Sequence, residues 1–561
     1  MDKKYMIIDG KSVEINGERN ILEVARKAGI DIPAFCYDPE LSIYGACRMC
    51  VFENERGGID ASCSAKPREG MVIKTNTPKL RKYRKMVLEL LLANHCRDCT
   101  VCPKNNKCKL QEFAIRYNLT DVRFPNNYIK VEKDKSSLSI VRDAEKCILC
   151  GKCVRMCNEV QNVGAIDYGF RSSKMKIVTA FDEDIASSPC VGCGQCAAVC
   201  PVGAITIKDD SEEVWNALSD ENTEVSVQVA PAVRVALGKE FGLKEGEPLM
   251  GKLVFALKAI GFDKVFDTSL GADMTIFEEA AEFVNRLKKG ENLPLFTSCC
   301  PAWVKHAEFK HHNLLNNISS CRSPMEMFAS VVKHAYKGEK KHFHVAIMPC
   351  TAKKFERSRE EFKAPDGSYS VDAVLSTQEI ISMIKTAGID FVNAEDVAVD
   401  NPFEEYTGAG VIFGVTGGVT EAVLRYASKD KSEKALEEIS YTGVRGLDGV
   451  KEATVKIAGK DVKIAVVSGL ANADKLIDKI EKGEAKYDFV EVMACPSGCI
   501  NGGGQPRAEL KDRITRMDGI YTADKCESKR ASDENTLVKG LLDNMDEHVK
   551  HALLHTTYIE R

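Results

Sequence analysis

CILCGKCVRMC (residues 147–157) and CVGCGQCAAVCP (residues 190–201) are two copies of one string, C-x2-C-x2-C-x3-C, set 43 residues apart. In such a pair each run gives three thiolates to one four-iron cubane, while its fourth cysteine serves the other cluster. The spacing assigns Cys147, Cys150, Cys153 and Cys200 to one 4Fe–4S cluster, and Cys190, Cys193, Cys196 and Cys157 to a second. The repeat predicts a compact two-cluster domain over residues 138–210.

Working toward the N-terminus, cysteine continues to appear at ligand spacings. HCRDCTVCPKNNKC contains H-x3-C-x2-C-x5-C, made of His95, Cys99, Cys102 and Cys108. One imidazole with three thiolates can hold a cubane, and the neutral ligand should raise its potential. Cys96 is read as a bystander. A helical run, KLRKYRKMVLELLLAN, precedes this string, and the two define a segment over residues 80–122. Earlier still, Cys36, Cys47, Cys50 and Cys63 form C-x10-C-x2-C-x12-C, which suits a 2Fe–2S cluster in a plant-ferredoxin-like domain over residues 1–79. There YMII, an Asp9-Gly10 turn and SVEI read as a hairpin, followed by the helical stretch NILEVARKAGI.

Of 23 cysteines, 16 lie in the first 200 residues, too regularly spaced for scattered core thiols. Lys plus Arg (78) nearly balances Asp plus Glu (82), which argues against nucleic acid or an anionic membrane as partner. No apolar run reaches the ~18 residues of a membrane span. The opening MDKKYMIIDG lacks the apolar core of a secretory signal, so a cytoplasmic location is expected. Several clusters in series make sense as a wire for single electrons. Up to about residue 210 the chain reads equally well as a relay subunit with no chemistry of its own.

After the polar stretch KDDSEEVWNALSDENT, residues 211–561 change character. Strand candidates VSVQVA, FHVAIM, AVVSGL and FVEVMA alternate with helical runs, predicting an α/β domain. Five of the remaining cysteines stand in three strings: FTSCCPAW (Cys299, Cys300), IMPCTAKKFE (Cys350) and EVMACPSGCINGGGQP (Cys495, Cys499). With one cysteine of the adjacent pair, they supply the four thiolates of a further cubane. The other cysteine is left beside the metal, free to carry a proton, because neighbouring side chains diverge.

These three strings, in this order and behind this arm, resemble the iron-only (FeFe) hydrogenases, and the likeness extends over essentially the whole chain. It is nearest to the large monomeric clostridial type with four accessory clusters, one 2Fe–2S and three 4Fe–4S. The resemblance implies ferredoxin-like cluster domains followed by a two-lobed α/β catalytic domain, an α/β and α+β multidomain architecture. It implies an H-cluster: a cubane on Cys300, Cys350, Cys495 and Cys499, joined through Cys499 to a diiron unit bearing CO, CN and a bridging azadithiolate. Cys299 would be the proton donor and Lys353 would donate to a cyanide. Met348 and Met493 would pack on the diiron unit, with Pro231, Ala232, Ser323 and Phe413 around it. Ferredoxin or flavodoxin would exchange electrons with the arm, protons and H2 would be the substrates, and maturation proteins would deliver the diiron unit. At three positions this sequence departs from better-known members: Ala232 replaces Ser, Met325 replaces Gln, and Ala302 replaces Gly.

In TIFEEAAEFVNRLK (275–288) Glu279, Glu282 and Arg286 flank a helical apolar face. Spacing alone favours a solvated edge with an i,i+4 ion pair. The resemblance favours a proton relay running Arg286, Glu282, Ser319, Glu279, Cys299. Cys321 and Cys526 are expected to be unligated, and His548, His551 and His555 to lie on a solvated helix face. The rival readings are a relay subunit, an H2 sensor, a cluster-assembly relative and a subunit of an electron-bifurcating complex. The sensors usually lose the cysteine that stands here as Cys299.

Overall fold

The computed structural model describes residues 3–126, 130–364, 367–427, 443–457 and 460–561. At the N-terminus β1 (Lys4–Ile8) and β2 (Lys11–Ile15) form the expected hairpin. Asp9 and Gly10 both take positive φ, the backbone that a two-residue hairpin turn requires. With β3 (Val51–Asn54), β4 (Ile59–Ala61) and β5 (Val72–Lys74) they make a five-stranded sheet in the order β2-β1-β5-β3-β4. Helix Ile21–Lys27, capped by the Asn20 side chain, closes its core on Met6, Ile8, Leu22 and Phe52. Helix Pro78–Ala93 starts at a Thr77 cap. Its Arg84 is buried and donates to the carbonyls of Met49 (3.1 Å), Thr75 (2.9 Å) and Val51. That side chain staples the histidine-bearing segment to the first sheet.

The two-copy region pairs β6 (Ile140–Arg142) with β9 (Ile205–Ile207), and β7 (Asp167–Gly169) with β8 (Lys176–Val178). The repeat in sequence is a repeat in backbone. Leu149 and Gly192, two residues past the first cysteine of each run, both have positive φ, and so do Gly151 and Gly194. Copy two needs glycine at both places for a second reason. A Cβ on Gly192 would stand 2.6 Å from Ser139 Oγ, and one on Gly194 would stand 2.3 Å from Thr351 Oγ1.

Beyond residue 210 two four-stranded sheets carry two lobes. One has the order β11-β10-β13-β14, all parallel, from β10 (Thr223–Val229), β11 (Lys264–Asp267), β13 (Lys341–Met348) and β14 (Ala373–Ser376). The other has the order β12-β17-β16-β15, from β12 (Leu295–Phe296), β15 (Val450–Ile457), β16 (Lys460–Ser468) and β17 (Phe489–Met493). All four strand candidates read from the sequence lie in these sheets. The polar stretch ahead of them contains a helix, Ser211–Leu218, whose buried Val214 packs on the first lobe. Its charged residues face outward, so composition alone hid its apolar edge. Among the described residues no helix is long and apolar enough to cross a membrane.

Candidate active site

The three cysteine strings emerge from the C-terminal ends of strands, where open parallel sheets place their ligands. β13 ends at Met348 and delivers Cys350, β17 ends at Met493 and delivers Cys495, and β12 ends at Phe296, three residues before Cys299. Helix Pro301–Lys310 begins directly after Cys300. The thiols of Cys300, Cys350, Cys495 and Cys499 are neighbours. Cys495 and Cys499 are pushed up first by burial and then by the charges of Cys350 and Cys300. Burial likewise holds Cys350 at about 12. Four dehydrated thiols, each made harder to ionise by burial and none in a disulfide, are a donor set suited to a multivalent iron–sulfur cation.

A cavity of about 70 Å³ adjoins them, lined in part by Pro231, Ala232, Met348, Met493, Phe413 and Cys299. Lys353, Met325, Thr268, Cys350 and Cys499 also face it, while Ser323 and Ala302 do not. Lys353 Nζ is 3.3 Å from the Cys299 carbonyl and 2.7 Å from Glu356 Oε2, and Ser323 Oγ donates to the same Glu356 oxygen at 3.0 Å. Ser323 therefore acts on the cavity through Glu356 and Lys353. Ala232 is fully buried, and its carbonyl accepts from Gln505 Nε2 at 2.8 Å.

Glu279, Glu282 and Arg286 share helix Ser269–Lys289. Glu282 pairs with Arg286 at 2.5 Å, so the i,i+4 ion pair is present; the same carboxylate also accepts from Ser319 Oγ at 3.1 Å. Glu279 is fully buried, with Ser319 and the Ser298 backbone beside its carboxyl but no partner at full hydrogen-bond geometry. Burial raises it to about 8, helped by the Glu282 charge and opposed by nearby Ser319. Cys299 is raised by burial and next by Glu279, which places these two groups together.

In the arm, thiols from the cysteine runs lie close together. Cys147, Cys150, Cys153 and Cys200 line one cavity of about 240 Å³. Cys157, Cys190 and Cys196 lie within each other's field, and Cys193 beside Cys196. In the first domain Cys36 Sγ is 3.4 Å from Cys47 Sγ, and Cys63 contacts both Cys36 and Cys50. His95 is buried, pushed down to about 4 by burial and by Lys146, and its Nδ1 has no partner. A neutral imidazole with an idle lone pair fits a metal ligand. Cys99 and Cys102 neighbour Cys108, whereas Cys96 donates to Asp98 Oδ2 at 3.2 Å and so has a partner of its own.

Arm and catalytic lobes meet glycine to glycine. A Cβ on Gly503 would stand 2.2 Å from the Cys193 carbonyl and 2.8 Å from Gly194 Cα. Gln195 donates to the Asn501 carbonyl at 2.8 Å, Thr351 Oγ1 to the Gly192 carbonyl at 2.7 Å, and Cys193 feels the charge of Cys495. Sequence reasoning missed Gln195, Glu356, Gln505 and Ser320. Only the GGGQ string hinted at one of them. It also misplaced His555: His548 and His551 are exposed as expected, but His555 is half-buried and bonded. Cys321 is buried and Cys526 exposed.

Residues 223–503 match the family described as iron only hydrogenase large subunit, C-terminal domain, and 510–561 match iron hydrogenase small subunit. The arm matches a 2Fe-2S iron-sulfur cluster binding domain (6–78), an NADH-ubiquinone oxidoreductase-G iron-sulfur binding region (84–123) and a 4Fe-4S dicluster domain (146–211). The chain is 40% identical over 587 residues to NADP-reducing hydrogenase subunit HndD of Solidesulfovibrio fructosivorans, covering all of both chains. It is 38% identical over 576 residues to iron hydrogenase 1 of Clostridium pasteurianum, covering 99% of this chain and 100% of that one. A solved structure of [FeFe]-hydrogenase HydA1 from Chlamydomonas reinhardtii superposes with a TM-score of 0.55 at 35% identity, over 63% of this chain and 99% of its own.

Proposed function

This chain belongs to the iron-only hydrogenases, and from that premise we propose that it interconverts protons and H2 at the cysteine-lined cavity, exchanging electrons with ferredoxin or flavodoxin through its arm. The observation that carries the reading is the convergence of three distant strings on one small cavity: Cys299, Cys350 and Cys499 line it, Cys300 and Cys495 lie beside them, and a fully buried acid, Glu279, stands next to Cys299. Cys300, Cys350, Cys495 and Cys499 would hold the cubane of an H-cluster, with Cys499 shared with the diiron unit. The four cysteine groups of the arm would hold one 2Fe–2S and three 4Fe–4S clusters, in domains spanning 1–79, 80–122 and 138–210 ahead of a catalytic domain over 211–561. When bound, the H-cluster supplies the electrons and the site at which the H–H bond is made or broken.

The chain's own residues handle the proton. Cys299 holds one at the cavity wall, because burial and nearby carboxylates keep its thiol protonated. Glu279, at about 8, can both take and give a proton near neutrality, the condition for an acid–base group. Ser319 stands between Glu279 and Glu282 and carries the proton across. Lys353, anchored by Glu356, presents its ammonium to the cavity as a donor to an anionic ligand. Pro231, Ala232, Met348, Met493 and Phe413 exclude water from the same space.

Likeness over the full length to a subunit of an NADP-reducing hydrogenase supports a second reading, in which the arm hands electrons to a partner subunit. The matured protein, assayed alone with reduced ferredoxin, flavodoxin or NADPH, separates the two. H2 from ferredoxin or flavodoxin is the expected result, and no H2 from either overturns the carrier assignment. Infrared bands from CO and CN are expected in the same sample, and their absence would overturn the H-cluster assignment.

A further inference from the structure

We infer that protons reach the buried acids through His555 and Ser320, and that Arg286 holds Glu282 in place without conducting. A guanidinium has five N–H donors, no acceptor and a pKa above ~12, so it cannot pass a proton on near neutrality. Here its donors are directed at Glu282 (2.5 Å) and at the carbonyls of Asn292 (3.2 Å), Asn316 (3.0 Å) and Ile318 (3.1 Å). That is the geometry of a clamp.

The other neighbour of Glu282 has what a carrier needs. Residues 554–556 zip onto 320–322: Arg322 N donates to the Leu554 carbonyl at 2.7 Å, and Thr556 N to the Ser320 carbonyl at 2.8 Å. Cys321 and His555 form a β-bridge. This backbone pairing sets the His555 ring beside the Ser320 hydroxyl, with Nδ1 2.9 Å from Oγ. Ser320 Oγ donates to Glu282 Oε2 at 3.2 Å. On the outer side His555 Nε2 lies 3.2 Å from Glu278 Oε2, and Glu278 is paired with Lys550 at 2.8 Å. The ring stacks on exposed His551, with centroids 5.3 Å apart. The charged and titratable groups around it are therefore Glu278 and Glu282 from one helix, Lys550 and His551 from the helix that ends just before it, and Arg322, which donates to its carbonyl.

An imidazole can accept at one nitrogen and release at the other. A proton from water forms the Nε2–H bond, beside the Glu278 carboxylate; the Nδ1–H bond breaks as Ser320 Oγ takes that proton; the Ser320 O–H bond breaks as Glu282 Oε2 takes its own. One proton enters, one arrives at Glu282, and no electron moves. H2 oxidation runs the same steps outward. His555 lies in the stretch that matches the small-subunit family, so that C-terminal piece would supply the outer part of the proton path.

The inference rests on the hydrogenase reading, and its test is built to separate the two. In the matured holoenzyme His555→Ala should keep its iron and its CO and CN bands. Turnover should fall on the order of 100-fold, the lower end of what a positioned acid–base group contributes. Free imidazole should restore it, with an altered pH profile. In stopped-flow infrared, the buried-carboxyl band should answer a pH jump more slowly in this variant, and imidazole should speed it. Ser320→Ala should lose turnover too, without imidazole rescue. Unchanged turnover in His555→Ala, or a loss that imidazole cannot restore, overturns the inference. Absence of CO and CN bands from the unaltered protein overturns the hydrogenase reading instead.

Discussion

The arm and the catalytic lobes both gather cysteines, but by opposite means. In the two-copy region three of the four thiols around the 240 Å³ cavity come from seven consecutive residues, Cys147 to Cys153. The catalytic thiols come from positions 299–300, 350 and 495–499, carried by three strands of two different sheets. A local loop can wrap a cluster with little help from the rest of the chain. The catalytic set exists only once two lobes have closed, whereas each run of the arm brings most of its thiols together within a single loop.

That contrast can be broken at four places. The largest effect is expected at Cys299, the thiol of the catalytic group that we propose carries a proton and ligates no metal. Cys299→Ala should keep full iron content while turnover drops by ~10²–10⁴-fold. Loss of the catalytic cubane, read by metal analysis and electron paramagnetic resonance, would show that Cys299 and Cys300 have been assigned the wrong way round.

The second place is the seam between the regions. Gly503→Ala puts a methyl 2.2 Å from the Cys193 carbonyl, so the two loops must part. Stability should fall by about 1–3 kcal/mol. Carrier-linked turnover should fall well below dye-linked turnover, because only the former crosses the seam. Equal losses in both assays would mean that the damage is to the lobes alone.

A third effect belongs to the lobes and should vary with pH. Glu279 sits at about 8 in the folded chain against an ordinary 4.5, raised chiefly by burial. Between those values the folded state keeps a proton that the unfolded state has lost. This contribution is therefore whole below 4.5 and fades as pH climbs toward 8. Glu279→Gln removes that slope, worth on the order of a few kcal/mol at the pKa exchange rate. Chemical denaturation from pH 5 to 8 should show a flatter profile for the variant, and parallel profiles would place the titration elsewhere.

The smallest effect is expected at Ala232. Ala232→Ser adds a hydroxyl at the cavity wall, and a hydrogen bond to a charged ligand contributes ~1.5–3 kcal/mol. A cyanide band and the potential of the catalytic site should shift together. If neither moves, Ala232 is neutral. Packing leaves little room for error here, since a Cβ on Gly414 would already approach the Ala232 Cβ to 3.3 Å.

The sequence by itself determined whatever is written in short spacing. Ligand intervals marked the arm as iron–sulfur-binding because a metal selects donors a few residues apart. Alternation and helical periodicity found the strands β10, β13, β16 and β17 and the helix that carries Glu279, because one buried face imposes its period on the chain. The three catalytic strings were legible as cysteine strings and, through resemblance, as a site. Only the tertiary structure decided the contacts that join distant positions. Glu356 behind Lys353, Gln195 against Asn501, and Gly503 on Cys193 leave no periodic trace, since each depends on one close approach between separate elements. His555 shows the limit most clearly. Its helical offset from His548 and His551 suggested a shared exposed face, yet the helix ends at Leu554, and the extended backbone that follows turns His555 inward to Ser320.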